Sequence, residues 1–285
     1  MKKILITGSN SYIGMSFEKW LGKYPEKYSV DTVDMRSDDW KTNDFSKYDV
    51  VFHVAGIAHV SSKTKMEKLY YKVNRDLTIE TAEKAKNQGV KQFILMSSII
   101  VYGDSVESVI NMSTIPNPSN SYGISKLQAE EGINALGCDS FKIVNVRPPM
   151  IYGKGSKGNY RKLAKVASKL PVFPDIHNRR SMLHIDNLCE FIRLIIDNKE
   201  NGIFFPQNSE YVQTSEMVRL ISEVHGKQIR LVKNFNGILG LLGVTVTMVN
   251  KVFGNLVYDM EMSSYKDNYR IRNFRESIRM TENSD

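Results

Sequence analysis

Tyr122 and Lys126 stand four residues apart in the run Ser-Tyr-Gly-Ile-Ser-Lys. On a helix the side chains at i and i+4 share a face, so this spacing sets a cation beside a phenol whose ordinary pKa is near 10. A neighbouring positive charge favours the phenolate, which makes the tyrosine a general acid/base at neutral pH. Ser98, 24 residues earlier, ends an apolar run and offers a hydroxyl able to hydrogen-bond the same oxygen that the tyrosine protonates or deprotonates. The three together are far more specific than the Tyr-x-x-x-Lys pair alone.

The elements that must position these groups read as alternating strands and helices, which implies an α/β fold with a doubly wound parallel sheet. Lys2 to Thr7 is a buried strand, followed by a turn of small residues from Gly8 through Asn10, Ser11, Tyr12 and Ile13 to Gly14, and then by a helix through Phe17, Trp20 and Leu21. Strand, tight turn and helix N-terminus form the setting for a dinucleotide pyrophosphate, because the helix start supplies unpaired N–H groups. Gly8 makes the turn, Gly14 lets helix and strand approach, and Ser11 occupies the place where the fingerprint usually has its middle glycine. Val30 to Asp34 is the second strand, and a carboxylate at Asp34 suits the ribose hydroxyls of NAD. Arg36, two residues on, leaves NADP open.

Asp49 to Val54 is a third strand that ends in Ala55 and Gly56, small residues at the end of the sheet where ligands bind. Met66 to Asn87 carries a helical apolar stripe, with Asn74 on or near it as a satisfied buried amide or a positioning group. His53 and His59 lack a metal-ligand spacing and are read as structural, with no metal site. Lys91 to Met96 is the strand leading to Ser98, Ser119 to Ser121 offer the cap of the helix bearing Tyr122, and Phe141 to Arg147 is a further strand broken by Pro148 and Pro149. Residues 1–153 form the dinucleotide-binding core. Residues 154–285 form a smaller, mostly substrate-binding region, with some segments expected to return to the core. That region has a basic helix from Tyr160 to Lys169, a strand and helix from Leu183 to Asn198, an apolar stretch at 237–249 read as a packed helix, and a polar tail from Asn268 expected to fray.

With 285 residues and 41% hydrophobic composition the chain can bury a full core, and its net charge of +8 suits an anionic partner. The basic residues are scattered and lack aromatic interleaving, which ranks nucleic acid below small anions. Cys138 and Cys189 are the only cysteines, which argues against a disulfide framework and for a cytoplasmic setting. No signal-peptide core or membrane-spanning stretch is expected; the 237–249 run falls short of the roughly 18 residues needed.

Thr7-Gly8 to Gly14, Val54-Ala55-Gly56, Asn74, Ser98 to Tyr102-Gly103, Tyr122 to Lys126 and Arg147 to Tyr152-Gly153 together resemble the extended short-chain dehydrogenase/reductases, in their NAD-dependent epimerase/dehydratase branch acting on nucleotide sugars. The likeness covers about residues 1 to 200. It implies a Rossmann-type sheet, NAD as cofactor with NADP as the alternative, and a nucleotide diphosphate sugar as substrate. The cofactor contacts it implies are Gly8, Asn10, Ser11, Tyr12, Ile13, Gly14, Asp34, Arg36, Val54, Ala55, Gly56, Asn74, Tyr122, Lys126 and Pro149. Its diphosphate contacts map onto Asn159 and Arg180, and guanidinium suits phosphate. His184 and Asp186 are read as structural.

The resemblance makes Ser98, Tyr122 and Lys126 the catalytic set, Ser98 also touching the substrate, and implies a homodimer through helices 66–87 and 122–135. Dehydratase members carry an acidic pair after the catalytic Ser/Thr, whereas Ile99 and Ile100 stand here. Neither isoleucine can move a proton, so the expected chemistry is hydride and proton transfer at one carbinol carbon, not 4,6-dehydration. A UDP-sugar 4-epimerase is the leading expectation and a 4-keto-6-deoxy-sugar-nucleotide reductase the alternative. A dinucleotide-sensing regulator is a third, opposed by the intact Ser, Tyr and Lys.

Overall fold

The computed structural model describes residues 1–58, 64–103, 109–233 and 254–283, with backbone alone at 64–66. The apolar 237–249 stretch and His59 lie outside the described residues. In chain order the elements are β1 (Lys2–Thr7), α1 (Tyr12–Leu21), β2 (Tyr28–Val33), β3 (Val50–His53), α2 (Thr64–Tyr70), α3 (Leu77–Asn87), β4 (Gln92–Met96), α4 (Ser121–Asn134) and β5 (Lys142–Val146). They continue with β6 (Met150–Tyr152), α5 (Asn159–Lys169), β7 (Val172–Pro174), β8 (Met182–His184), α6 (Ile185–Asp197), β9 (Gly202–Phe204), α7 (Thr214–Val224), β10 (Arg230–Val232) and α8 (Phe274–Glu282).

Six parallel strands form the central sheet in the order β2-β1-β3-β4-β5-β9. Both faces of a parallel sheet are covered, so alternate side chains of one strand enter different cores. Ile4 and Ile6 meet α1 and α6 on one side, while Leu5 joins Ala82, Ala85, Ala129 and Ile133 of α3 and α4 on the other. Strand order reverses between β2 and β3 on either side of β1, which places the topological switch point at the carboxyl ends of β1 and β3. There Gly8 has φ +94°, and a Cβ on it would come within 2.9 Å of Ala55 backbone atoms.

The expected helix over 66–87 is divided. Between α2 and α3 the backbone widens over Tyr71–Asp76 into hydrogen bonds that reach five residues back. This shifts the phase of the helix, turning Asn74 fully inward while Leu69, on the expected apolar stripe, is left exposed.

Segments beyond residue 153 return to the sheet: β9 pairs with β5, and Leu188, Phe191 and Ile192 of α6 enter the first core. A separate core gathers Tyr152, Tyr160, Leu163, Met217, Ile221, Phe274 and Ile278 from α5, α7 and α8. The tail expected to fray therefore forms α8. Asn273 caps it by accepting from the Glu276 N–H at 2.9 Å, and Phe274 and Ile278, one turn apart, lie buried. The Tyr152 and Ser277 hydroxyls bond at 2.5 Å, and Tyr160 donates to Glu282 at 2.7 Å. Local polarity concealed a narrow apolar stripe that pays off only against that second core.

Candidate active site

At the switch point, α1 begins with Ser11 as its cap: the Oγ accepts from the Gly14 N–H at 3.1 Å. Serine in the middle-glycine position thus stabilises the helix start instead of opening it. Asn10 takes the left-handed backbone that asparagine tolerates, φ +63°. Among the described residues the Tyr12 and Ile13 N–H groups have no acceptor, and both residues line a cleft of about 1050 Å³. Free N–H groups at the positive end of a helix, in an open cleft at the switch point, fit a dinucleotide pyrophosphate.

The same cleft is lined by Val54, Gly56, Ser98, Tyr122, Lys126, Pro149, Asn159 and Arg180. Tertiary structure therefore brings the three candidate catalytic groups together with both proposed diphosphate contacts. Gly8, Asn10, Gly14, Asp34, Arg36, Ala55 and Asn74 are not among its lining residues. Gly14 faces Ile6 and Val54, where a Cβ would come within 3.2 and 3.3 Å. Asp34 follows the end of β2, and Arg36 folds back on it through Nε at 2.9 and 3.0 Å. That guanidinium and the Arg36 N–H hold the exposed Asp34 carboxyl down at about 2.

Asn74 works from behind the cleft wall. Its amide clamps the Ile57 backbone, accepting from N–H at 2.9 Å and donating to the carbonyl at 3.1 Å, and donates to Ser125 Oγ on α4 at 3.2 Å. A Cβ on Gly56 would sit 3.1 Å from Asn74 Oδ1 and 3.3 Å from Lys126 Nζ, so a side chain there would press on both groups. Asn74 is both a satisfied buried amide and a positioning group. Beneath it His53, fully buried, bonds Thr7 at 2.8 Å and Thr78 at 3.1 Å. The Thr78 hydroxyl donates to the Asn74 carbonyl at 2.8 Å, so it accepts from His53 Nε2–H, and Thr7 donates to Nδ1. Burial pushes the His53 pKa down to about 3, consistent with a neutral structural ring.

Helix α4, which carries the candidate catalytic Tyr122 and Lys126, is capped by Asn120, the middle residue of the expected capping segment, whose Oδ1 accepts from the Gly123 N–H at 2.9 Å. A Cβ on Gly123 would meet the Ile100 carbonyl and Pro118 at 2.8 Å; glycine lets the helix start lie against the turn that follows Ser98. Lys126, buried, donates from Nζ to the Met96 carbonyl at 2.8 Å. Burial lowers its pKa to about 8, and Glu130 one turn further on opposes the shift.

The expected depression of the Tyr122 pKa by Lys126 is not what this geometry produces. Burial pushes the phenol up to about 12; the Ser98 hydrogen bond pulls it down and Tyr70, with its ring 5.8 Å away, pushes it up. Lys126 is directed to a backbone carbonyl, and the desolvation of Tyr122 is the larger influence.

Groups that the sequence reading left without a role complete the site. Glu130 and Arg147 form a buried ion pair, with Nη2 to Oε2 at 2.6 Å and Nε to both oxygens at 3.1 Å. Arg147 also donates to Tyr102 at 2.7 Å, and Ser97 donates to Glu130, so β4, α4 and β5 are tied together under Lys126. The i+4 step from Lys126 to Glu130 was the available signal. Glu67, Tyr70, Ser156, Lys157 and Lys162 also line the cleft. Arg180, half-buried, donates Nη1 to the Gly254 carbonyl at 2.8 Å, and desolvation lowers its pKa. His184 caps α6 by accepting from the Asp186 N–H at 3.3 Å, and Asp186 pairs with Arg272 at 3.3 Å, consistent with structural roles.

A doubly wound parallel sheet with a Tyr-x-x-x-Lys helix beside its switch point defines the extended short-chain dehydrogenase/reductase class. Within it, the chain belongs to the NAD dependent epimerase/dehydratase family, whose model matches residues 4–205. It is 34% identical over 243 residues to a UDP-glucose 4-epimerase of Vibrio cholerae, covering 76% of this chain and 74% of that protein. A GDP-6-deoxy-D-mannose reductase of Pseudomonas aeruginosa is 23% identical over 258 residues, covering 82% and 83%. In structure the chain is similar to a UDP-glucuronic acid 4-epimerase from Bacillus cereus in complex with NAD, with TM-score 0.75, 19% identity and 98% and 97% coverage, a likeness of fold. Among the described residues no helix is long and apolar enough to cross a membrane.

Proposed function

We propose that the protein interconverts an alcohol and a ketone at C4 of a UDP-sugar, as a 4-epimerase using NAD. The observation that carries this reading is the single cleft joining Ser98, Tyr122 and Lys126 to the α1 N-terminus at one side and to Asn159 and Arg180 at the other. Residues 154–285 supply most of the substrate contacts, Asn159 and Arg180 engaging the diphosphate, while Asp34 takes the ribose hydroxyls.

Tyr122 exchanges the proton of the reacting oxygen and Ser98 orients that oxygen. A bound nicotinamide supplies the hydride acceptor and donor. With its pKa near 12, Tyr122 is a phenol at neutral pH and a ready proton donor to a ketone. In the alcohol-oxidising direction it must act as phenolate, and the positive charge of a bound oxidised nicotinamide would lower its pKa toward that state. Ile99 and Ile100 line the cleft directly after Ser98, where neither can protonate a leaving hydroxyl, so the reading excludes 4,6-dehydration.

The test assays UDP-, dTDP- and GDP-sugars with and without added NADH and NADPH, and extracts cofactor from freshly purified protein. Retained NAD with redox-neutral C4 inversion supports the epimerase. Protein that consumes added NAD(P)H on a 4-keto-6-deoxy sugar nucleotide supports the reductase reading, which the likeness to the GDP-6-deoxy-D-mannose reductase favours. Appearance of a 4-keto-6-deoxy product from a hexose nucleotide refutes the exclusion of dehydration.

A further inference from the structure

Lys157, Lys162 and Arg180 line the part of the cleft formed by residues beyond 153, Lys126 lines it beside Tyr122 with its Nζ turned to the Met96 carbonyl, and Glu67 is the only carboxylate among the described lining residues. Glu67 lies on α2 one turn before Tyr70, whose ring is 5.8 Å from that of Tyr122. Its Oε1 accepts from Ser121 Oγ at 3.1 Å, and Ser121 directly precedes Tyr122. Among the described residues no cation lies within ion-pair distance of Glu67. A carboxylate therefore lines the cleft on the side of Ser121 and Tyr122, where Lys126 is engaged by a backbone carbonyl, while Lys157, Lys162 and Arg180 come from the other part of the chain.

We infer that Glu67 selects the sugar: it favours neutral sugars whose hydroxyl or amide groups donate to it, and it disfavours hexuronates. An ionised carboxylate is an acceptor only. A uronate carboxylate held at roughly 6 to 8 Å from it, at an effective dielectric constant of about 20, would be repelled enough to lower affinity about 10- to 100-fold. The fold shared with a UDP-glucuronic acid 4-epimerase leaves both sugar types open; Glu67 distinguishes between them. This inference rests on the UDP-sugar reading above.

Its test is calorimetric binding of UDP-glucose and UDP-glucuronate to the full chain with NAD present, for wild type and Glu67→Gln. The two ligands share the UDP group, so their affinity ratio isolates the sugar end. Glutamine keeps an oxygen for Ser121 while removing the charge. The expected result is a roughly 10- to 100-fold preference for UDP-glucose in wild type. In the variant that preference should narrow to about threefold through tighter uronate binding, with an unchanged melting temperature. Equal wild-type affinities, or a ratio unmoved in the variant, overturn the role of Glu67 and leave the enzyme reading intact. If NAD binds and neither UDP-sugar does, the UDP-sugar reading fails and this inference with it.

Discussion

The two walls of the cleft are built differently. Around Tyr122 the polar groups are held by long-range hydrogen bonds within the sheet and its covering helices: Thr7, His53, Thr78 and Asn74 form one chain, and Ser97, Glu130, Arg147 and Tyr102 another. Around Arg180 the backbone is assembled from short pieces, with β6 on β8, β7 on β10, and isolated bridges from Arg180 to Val212 and Leu256. Among the described residues, buried atoms without a hydrogen-bond partner occur in both walls: the Ser156 hydroxyl here, and Gln92 Oε1 and Asn145 Oδ1 on β4 and β5. A rigid wall suits proton transfer, where small displacements are costly. A wall of short elements joined by loops tolerates more sequence change.

Substitutions at either wall test that contrast. Tyr122→Phe should lower kcat roughly 10²- to 10⁴-fold, while calorimetry shows cofactor still bound; near-normal turnover would sink its assignment. Glu130→Ala leaves Arg147 buried without its counter-charge and should cost about 3–5 kcal/mol of stability in a urea titration. A loss below about 1 kcal/mol would mean that the ion pair does not brace the rigid wall. Arg180→Ala should raise KM about 10- to 100-fold through loss of a charge-assisted bond worth roughly 1.5–3 kcal/mol, with a much smaller change in kcat. A fall confined to kcat would move Arg180 out of the binding wall.

Acid titration probes the rigid wall more gently. The folded pKa of His53 is about 3, below the ordinary value near 6.5, because burial disfavours the charged ring. The folded protein keeps the ring neutral while the unfolded chain takes up a proton. Stability is therefore complete above about pH 6.5 and declines as pH falls toward 3, with a slope approaching 1.4 kcal/mol per pH unit from this group. His184, lowered to about 4 chiefly by burial, acts in the same sense. Urea midpoints at pH 7 and 5 measure the effect, and equal midpoints would contradict it. The smallest change is expected from Asn120→Ala, which removes the α4 cap and should cost about 1 kcal/mol.

Much of the rigid wall was legible in the chain. Strand runs, turn glycines and the Tyr122–Lys126 spacing are local patterns, and the family match over 4–205 spans them. Three features escaped for separate physical reasons. The widened turn at Tyr71–Asp76 leaves no mark in apolar periodicity, so Leu69 was placed inward. The polar tail hid α8, because its two apolar anchors gain burial only from α5 and α7. The pKa of Tyr122 depends on how much water the surrounding elements exclude, which spacing does not report.

By itself the sequence determined the parallel α/β class, the strand, small-residue turn and helix at the N-terminus, and Ser98, Tyr122 and Lys126 as candidates, because these follow from local spacing and the periods of single elements. Tertiary structure alone decided that Arg180 and Tyr122 line one cleft, that Glu130 pairs with Arg147 one turn beyond Lys126, and that Glu67 lines the same cleft and accepts from Ser121. Those outcomes depend on distances between residues far apart in the chain, and on desolvation that exists only once the elements have packed.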